Sequence, residues 1–146
     1  MKQLFVIGAI VLLAACQGEN ITEGAAGKAA HNWAEAYFNW DFPEAANYVT
    51  TESERWLRYA ASNVTEADLE QLRQLDTAIT IEAVDMGNDT SATATIRVTD
   101  FLRQDSIGRA GSRTAEGLFH ILLVKRDNKW KVRMEGLPQS ERQSHD

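Results

Sequence analysis

The stretch SATATIRVTDFL, residues 91–102, alternates between apolar and polar side chains along most of its length. The apolar set is Ala92, Ala94, Ile96 and Val98, and the polar set is Thr93, Thr95, Arg97 and Thr99. Because successive side chains of a β-strand point to opposite faces, this period of two predicts a strand with one face against a core. The other face meets solvent.

Three further strands are predicted around this one. Residues 78–86 precede it and place Ile79, Ile81 and Ala83 on one face, and turn residues 87–89 join the two strands. A polar stretch with two glycines, residues 103–113, predicts a loop. Residues 118–125 and 130–135 then predict a closing hairpin that turns at Asp127-Asn128.

Upstream of residue 78 the apolar period is three to four, which is typical of helices. Thr22 is a candidate cap for a helix that runs to Asn39 or Trp40. Pro43 suits the first turn of a short helix over residues 44–49, and Thr50 or Thr51 precedes a third helix. The segment TEAD, residues 65–68, matches a capping box and predicts a fourth helix that ends at Leu75.

Helices followed by a meander of strands indicate an α+β domain, with N-terminal helices packed on a curved antiparallel four-stranded sheet. The layout resembles the nuclear transport factor 2-like cone, and more narrowly the lumazine-binding-like lipoproteins of unknown function. The resemblance rests on WAEAYF (residues 33–38), DFPEAA (residues 41–46) and the hairpin VKRDNKWKV (residues 124–132), and it spans about residues 23–137. It implies a sheet folded around a pocket, with the first helix across the opening.

The single cysteine, Cys16, ends the segment LAAC after one lysine and an uninterrupted run of apolar residues and glycine. This order is typical of a secretory signal, and LAAC resembles a bacterial lipobox. A lone cysteine is more often a small buried hydrophobe, but the cleavage-site position and the polar residues 17–20 favour lipidation. The lipobox resemblance implies acyl groups such as palmitate on Cys16. Gln17, rather than aspartate, favours the outer membrane, and the lone Glu19, in place of an acidic cluster, favours its periplasmic face.

These features predict a signal peptide (residues 1–15), a lipidated cysteine and tether (16–22), one domain (23–137) and a solvated tail (138–146). The net charge of −6 argues against nucleic acid as a partner. No pair of histidines has metal-ligand spacing and no cofactor motif is present, so we expect neither a metal nor a cofactor.

Aromatic residues are the candidate lining of a ligand pocket, because aromatic faces bury large area with specific geometry. At helical spacing the same residues are more often the core between helices and sheet. His120 is a further candidate, since it is the one histidine on a predicted strand. The candidates are Trp33, Tyr37, Trp40, Trp56, Tyr59 and His120.

Some cone-fold isomerases and dehydratases place an aspartate base beside tyrosine or histidine partners. The resemblance therefore directs attention to aspartate, tyrosine and histidine residues of this chain. Asp100, His120 and Tyr37 form the nearest such set, although nothing in the sequence places them together. A histidine of this kind is more often hydrogen-bonded in a half-buried sheet.

Three functions are consistent with the sequence. The first is a non-enzymatic, lipid-anchored envelope protein that binds a small apolar or aromatic ligand in the cone. The second is an interaction or assembly module that pairs with a protein partner, or with a second copy as a homodimer, through the polar face of residues 93–99. The third is an isomerase-like or dehydratase-like enzyme.

Overall fold

The computed structural model describes residues 21–104 and 109–141. The predicted signal peptide, Cys16 and most of the tether lie outside the described residues, as do residues 105–108 and the end of the tail, 142–146. The chain begins with helix α1 (Ile21–Phe38), followed by α2 (Phe42–Ala45), α3 (Glu54–Ala61) and α4 (Glu66–Leu72). Two 3₁₀ turns, Ala46–Tyr48 and Thr51–Ser53, connect α2 to α3.

The strands form one antiparallel sheet in the order β1-β2-β3-β4. Their bounds are β1 (Ala78–Asn88), β2 (Ser91–Arg103), β3 (Ser112–Arg126) and β4 (Lys129–Arg133). Each strand pairs with the next along the chain, and β4 covers only the Leu122–Arg126 part of β3. The α+β meander with helices before the sheet is therefore confirmed.

The core lies between α1 and the inner face of the sheet. β2 contributes the four apolar side chains predicted above, and each is at most 4 % exposed: Ala92, Ala94, Ile96 and Val98. From β3 it receives Phe119, Ile121 and Leu123, and from α1 it receives Trp33, Ala34 and Phe38. Burial of apolar area on this scale is the main favourable contribution to folding.

The helices differ from prediction mainly at their ends. α1 stops at Phe38 because Trp40 adopts a left-handed conformation with φ of 62°, and α2 starts at Phe42 because Asp41 caps it through the Glu44 N–H. α4 has the predicted capping box, but it ends at Leu72 rather than Leu75.

The prediction that Ala83 shares the face of Ile79 and Ile81 was wrong. A bulge between Ile81 and Ala83 inserts an extra residue into β1, so Ala83 becomes exposed and Val84 and Met86 turn inward.

The loop after β2 is shorter than predicted, because β3 begins at Ser112 rather than Leu118. The hairpin turn at Asp127-Asn128 is confirmed, and both residues have the positive φ that this type of turn requires.

Candidate functional site

Aromatic side chains fill much of the space between α1 and the sheet. Trp33 is 0 % exposed and stacks on Tyr37 with ring centroids 5.0 Å apart. Phe38 contacts Phe101 and Phe119 edge-on or tilted, at 5.4 and 4.8 Å. Burial raises the pKa of the Tyr37 hydroxyl above its ordinary value, so this hydroxyl remains neutral at physiological pH.

A cleft of about 460 Å³ opens beside Trp33, between β3 and the segment that follows β4. We call residues 134–139 the C-terminal strap. The strap forms one wall, Trp33 and Val132 contribute from the core, and polar groups of Arg133 and Glu135 line it as well. The remaining lining comes from His120, Ile121 and Leu122.

The strap is held at both ends. At its first residue, the Met134 N–H donates to Ser53 Oγ at 2.8 Å, and Ser53 Oγ is 2.6 Å from Thr50 Oγ1. Beyond it, the Glu141 N–H donates to the Leu118 carbonyl at 2.7 Å, on the part of β3 that β4 leaves uncovered. The cleft therefore has a fixed wall made from residues with no regular secondary structure.

Two buried polar atoms in the described part of the chain have no hydrogen-bond partner: Trp33 Nε1 and Gln104 Oε1. Trp33 lines the cleft, and Gln104 lines a smaller cavity of about 20 Å³; Pro138 borders both spaces. An unpaired buried polar group costs about 1–3 kcal/mol, so Trp33 Nε1 and Gln104 Oε1 mark two places where the core is not fully hydrogen-bonded.

The other predicted lining residues lie elsewhere. Trp40 is half-buried and donates from Nε1 to the Leu102 carbonyl at 3.2 Å, beside the smaller cavity. Trp56 and Tyr59 pack edge-on at 6.1 Å on α3, where Tyr59 is 37 % exposed. Of the six candidates, Trp33 and His120 line the cleft of about 460 Å³, and Tyr37 and Trp40 line the cavity of about 20 Å³.

The structure does not bring Asp100, His120 and Tyr37 together. His120 lies opposite Thr95 on the outer face of the sheet, whereas Tyr37 is buried under the inner face. Asp100 stands five residues beyond Thr95 on β2, roughly 17 Å away at about 3.4 Å per residue. The separation excludes a direct proton relay between Asp100 and His120.

Asp100 is also committed to other partners. Its carboxylate accepts from Arg113 Nε at 2.8 Å and from the Asp76 N–H at 2.8 Å. The Arg113 hydrogen bond, followed by the Asp76 hydrogen bond, holds the pKa of the Asp100 carboxyl below its ordinary value. A carboxylate stabilised in this way is a weak base.

His120 is half exposed and shares its face with Leu118, Leu122 and Val124, as predicted. Its Nδ1 is 3.2 Å from Thr95 Oγ1, and its Nε2 is 3.3 Å from Glu141 Oε2. Leu122 is 41 % exposed on this face, beside Thr93. The outer face therefore combines exposed apolar side chains with threonine hydroxyls.

Two solved structures resemble this one over most of their length. A nuclear transport factor 2-like protein of unknown function from Shewanella oneidensis has a TM-score of 0.50 and 18 % identity, with 72 % of this chain and 88 % of that chain covered. A ketosteroid isomerase-like protein from Erwinia carotovora atroseptica has a TM-score of 0.50 and 16 % identity, with 75 % and 90 % covered.

The chain has the nuclear transport factor 2-like fold. Identity at this level shows the fold alone, because one fold hosts many unrelated activities. No protein-family model matches the sequence, and no curated protein matches it. The predicted cone is confirmed at the level of architecture.

Within residues 21–104 and 109–141, no cluster of metal-ligating side chains occurs and no helix has the length and apolarity to span a bilayer. The C-terminal strap was missed as a site element, because residues 134–137 were assigned to the end of a strand and of the domain. Gly136 and Pro138, which interrupt any strand there, were the available signal.

Proposed function

We propose that this nuclear transport factor 2-like chain is a lipid-anchored cell-envelope protein that binds a small, flat, largely apolar molecule in the cleft beside Trp33. The observation that carries the binding proposal is the cleft of about 460 Å³ itself, whose lining includes Trp33, Ile121 and Val132 from the core. Ligand pockets in proteins are typically clefts of this size with mainly apolar walls and a few polar groups.

The walls favour a specific chemistry. Trp33 contributes its flat indole ring, and the exposed Arg133, whose Nε lies 3.5 Å from Glu135 Oε2, contributes a cationic group at the same cleft. Ile121, Val132 and Met134 supply apolar surface. A planar molecule with one acceptor or anionic group at its edge therefore fits the lining best.

Binding is tested with 1-anilinonaphthalene-8-sulfonate, a flat aromatic probe with one anionic group. We expect its fluorescence to rise saturably with the folded protein, and we expect Trp33→Phe, which replaces the indole ring with a smaller one, to weaken binding. Trp56→Phe, on α3 and outside the cleft lining, is the matched control and leaves binding unchanged. Equal affinity for the wild type and Trp33→Phe would remove Trp33 from the site.

A second variant addresses the cleft without altering the core. A Cβ on Gly136 meets no atom within 4 Å, so Gly136→Leu places a side chain on the strap with no clash at its Cβ. We expect loss of probe binding with an unchanged melting temperature. Full binding by Gly136→Leu would show that the probe lies elsewhere.

The proposal includes the anchor on Cys16, which is supported by LAAC after the apolar N-terminal run. Palmitate labelling and membrane fractionation of the wild type and Cys16→Ser test it, because only a lipidated cysteine incorporates label and sediments with the envelope. We place the anchor at the outer membrane because Gln17 follows the cysteine, and at its periplasmic face because Glu19 stands alone rather than in an acidic cluster.

In this proposal the protein binds its ligand without transforming it, since Asp100 pairs with Arg113 and lies far from His120. One solved relative is named ketosteroid isomerase-like, so the experiment includes an isomerase assay with a Δ5-3-ketosteroid substrate. Turnover that survives in Asp100→Asn and His120→Gln would indicate an enzyme with a different catalytic set.

A second candidate function is self-association or partner binding through the outer sheet face. The observation that favours it is the exposed Leu122, 41 % accessible, beside Leu118 and the threonines of β2. Sedimentation equilibrium tests it: we expect dimers that Leu122→Lys dissociates, and a strictly monomeric wild type at high concentration would refute it.

A further inference from the structure

A second cleft, separate from the one beside Trp33, lies between the first half of α1 and β1. Its volume is about 520 Å³, and its floor consists of Ile81, Glu82, Ala83 and Val84 of β1. α1 contributes Gly24, Gly27, Lys28, His31 and Asn32. We call this cleft the α1–β1 groove.

The bulge in β1 shapes the floor of the groove. Without it, Ala83 and Ile81 would share one face and Val84 would point away. The extra residue, Glu82, instead keeps both Ile81 and Val84 on the inward side of β1, where they line the groove. Ala83 and Glu82 border it as well, and the Glu82 carboxylate accepts from Arg97 Nε, so the floor is mainly apolar with one paired acid.

Glycines form the helical wall, at a cost to the helix. Gly24 and Gly27 are one turn apart on one face of α1, and each glycine inside a helix is unfavourable relative to alanine. A Cβ on Gly27 would approach Val84 to 3.3 Å, so Gly27 has a packing role. A Cβ on Gly24 meets nothing within 4 Å, so no contact among the described residues requires a glycine there.

The groove also begins close to where the described chain begins. Cys16 precedes the start of α1 at Ile21 by five residues, which span at most about 18 Å when extended. Gly24 lies within the first turn of α1. A group attached to Cys16 therefore reaches the mouth of the groove without any rearrangement of the domain.

We propose that the α1–β1 groove holds one acyl chain of lipidated Cys16. The bare backbone at Gly24 admits the chain, and the apolar floor of Ile81, Ala83 and Val84 removes it from water. Lys28 at the rim donates to the ester oxygens of the lipid. The folded domain is thereby held against the bilayer surface. This inference rests on the proposed lipidation of Cys16.

The test uses the full-length protein in bacterial cells fed palmitate with a terminal diazirine. After illumination, the crosslinked peptides of the purified protein are mapped by mass spectrometry. We expect crosslinks from the acyl chain to residues 81–84. Gly24→Leu fills the mouth of the groove with no clash at its Cβ and lowers these crosslinks severalfold. Ala25→Leu, an exposed neighbour on the same helix that does not line the groove, is the matched control and leaves them unchanged.

Each other outcome overturns the inference in a distinguishable way. Incorporated label that crosslinks only to bilayer lipid or to a neighbouring copy removes the groove as the binding place while the anchor stands. Equal crosslinking of wild type and Gly24→Leu does the same. Absence of label from the wild type would refute the lipidation of Cys16, and the inference about the groove would fail with it.

Discussion

Asp68 and Gly111 are joined by a hydrogen bond of 2.7 Å from the Gly111 N–H to Asp68 Oδ1, across 43 residues of sequence. The other carboxylate oxygen accepts the Thr65 N–H at 2.9 Å, which completes the capping box of α4. The Asp68 carboxylate is 0 % exposed, yet both of its oxygens are paired with backbone donors. One side chain thus starts a helix and fixes the base of the loop that enters β3.

Asp68→Ala should destabilise the fold strongly. It removes both hydrogen bonds to a charged acceptor and leaves the Gly111 N–H without its buried partner, so we expect a loss of about 3 kcal/mol in the free energy of unfolding. Urea denaturation monitored by circular dichroism measures this loss. Glu70→Ala, two residues further along α4, removes only an exposed ion pair with Arg73 and should change stability by less than about 1 kcal/mol. Similar losses in the two variants would contradict the assigned role of Asp68.

Alanine at two glycines should have opposite effects. A Cβ on Gly111 would lie 2.7 Å from Leu102 Cγ and 3.1 Å from the Arg103 carbonyl, so Gly111→Ala forces the base of the loop to move. We expect it to cost about 1–3 kcal/mol. Gly24→Ala meets no atom and restores helix propensity, which should stabilise the fold by about 0.5–1 kcal/mol. Melting temperatures test both signs, and a stabilising Gly111→Ala would show that the loop base is not packed as described.

Ser53 should control the order of the C-terminal strap. Its hydroxyl accepts the Met134 N–H at 2.8 Å and is 0 % exposed, so Ser53→Ala leaves a buried donor unpaired, at a cost of about 1–3 kcal/mol. Hydrogen exchange at the Met134 amide should accelerate more than exchange in β2. Ser62→Ala is the control, since that hydroxyl bonds an exposed carbonyl on α3. Unchanged protection of Met134 in Ser53→Ala would mean that the strap is held by other contacts.

Glu52 should make stability depend on pH. The Arg126 hydrogen bond is the largest contribution that lowers the pKa of the Glu52 carboxyl, to about 2 from an ordinary value of 4.5. Because the folded-state pKa is the lower one, the stabilisation is complete above about pH 5 and is lost as pH falls toward 2. The wild type should therefore exceed Glu52→Gln in urea midpoint at pH 6, and the difference should disappear near pH 2.

The control for Glu52 is Glu66→Gln, since Glu66 forms no ion pair within the described residues. It should leave the pH profile of the wild type unchanged. High salt should also shrink the Glu52 effect, because this ion pair is exposed and therefore screened. A difference between wild type and Glu52→Gln that is as large at pH 2 as at pH 6 would refute the assignment.

Local patterns were sufficient to predict most of the elements. The alternation of residues 91–99 identified β2 and its buried face, and TEAD identified the start of α4, because each depends on neighbouring residues alone. The bulge after Ile81 was not predictable in this way. It changes which side of β1 faces inward without leaving a glycine or proline as a signal.

The candidate site was predicted less well. His120 was correctly placed on the face of Leu118 and Leu122. Which face of the sheet is the inner one depends on where α1 packs, and His120 lies on the face that points away from α1. The early start of β3 could not be predicted, because its first residues are polar and show no apolar alternation. Backbone hydrogen bonds to β2 hold them in the sheet.

The amino-acid order by itself determined the helix-then-strand layout, the cone-like architecture, the capping box of α4 and the closing turn, since these follow from backbone preferences and apolar periods within a few residues. The tertiary structure alone decided that Trp33 keeps an unpaired N–H beside an open cleft, and that Asp100 faces Arg113 rather than His120. Such relationships join residues far apart in the chain, and only the register of the strands and the packing of α1 bring them together.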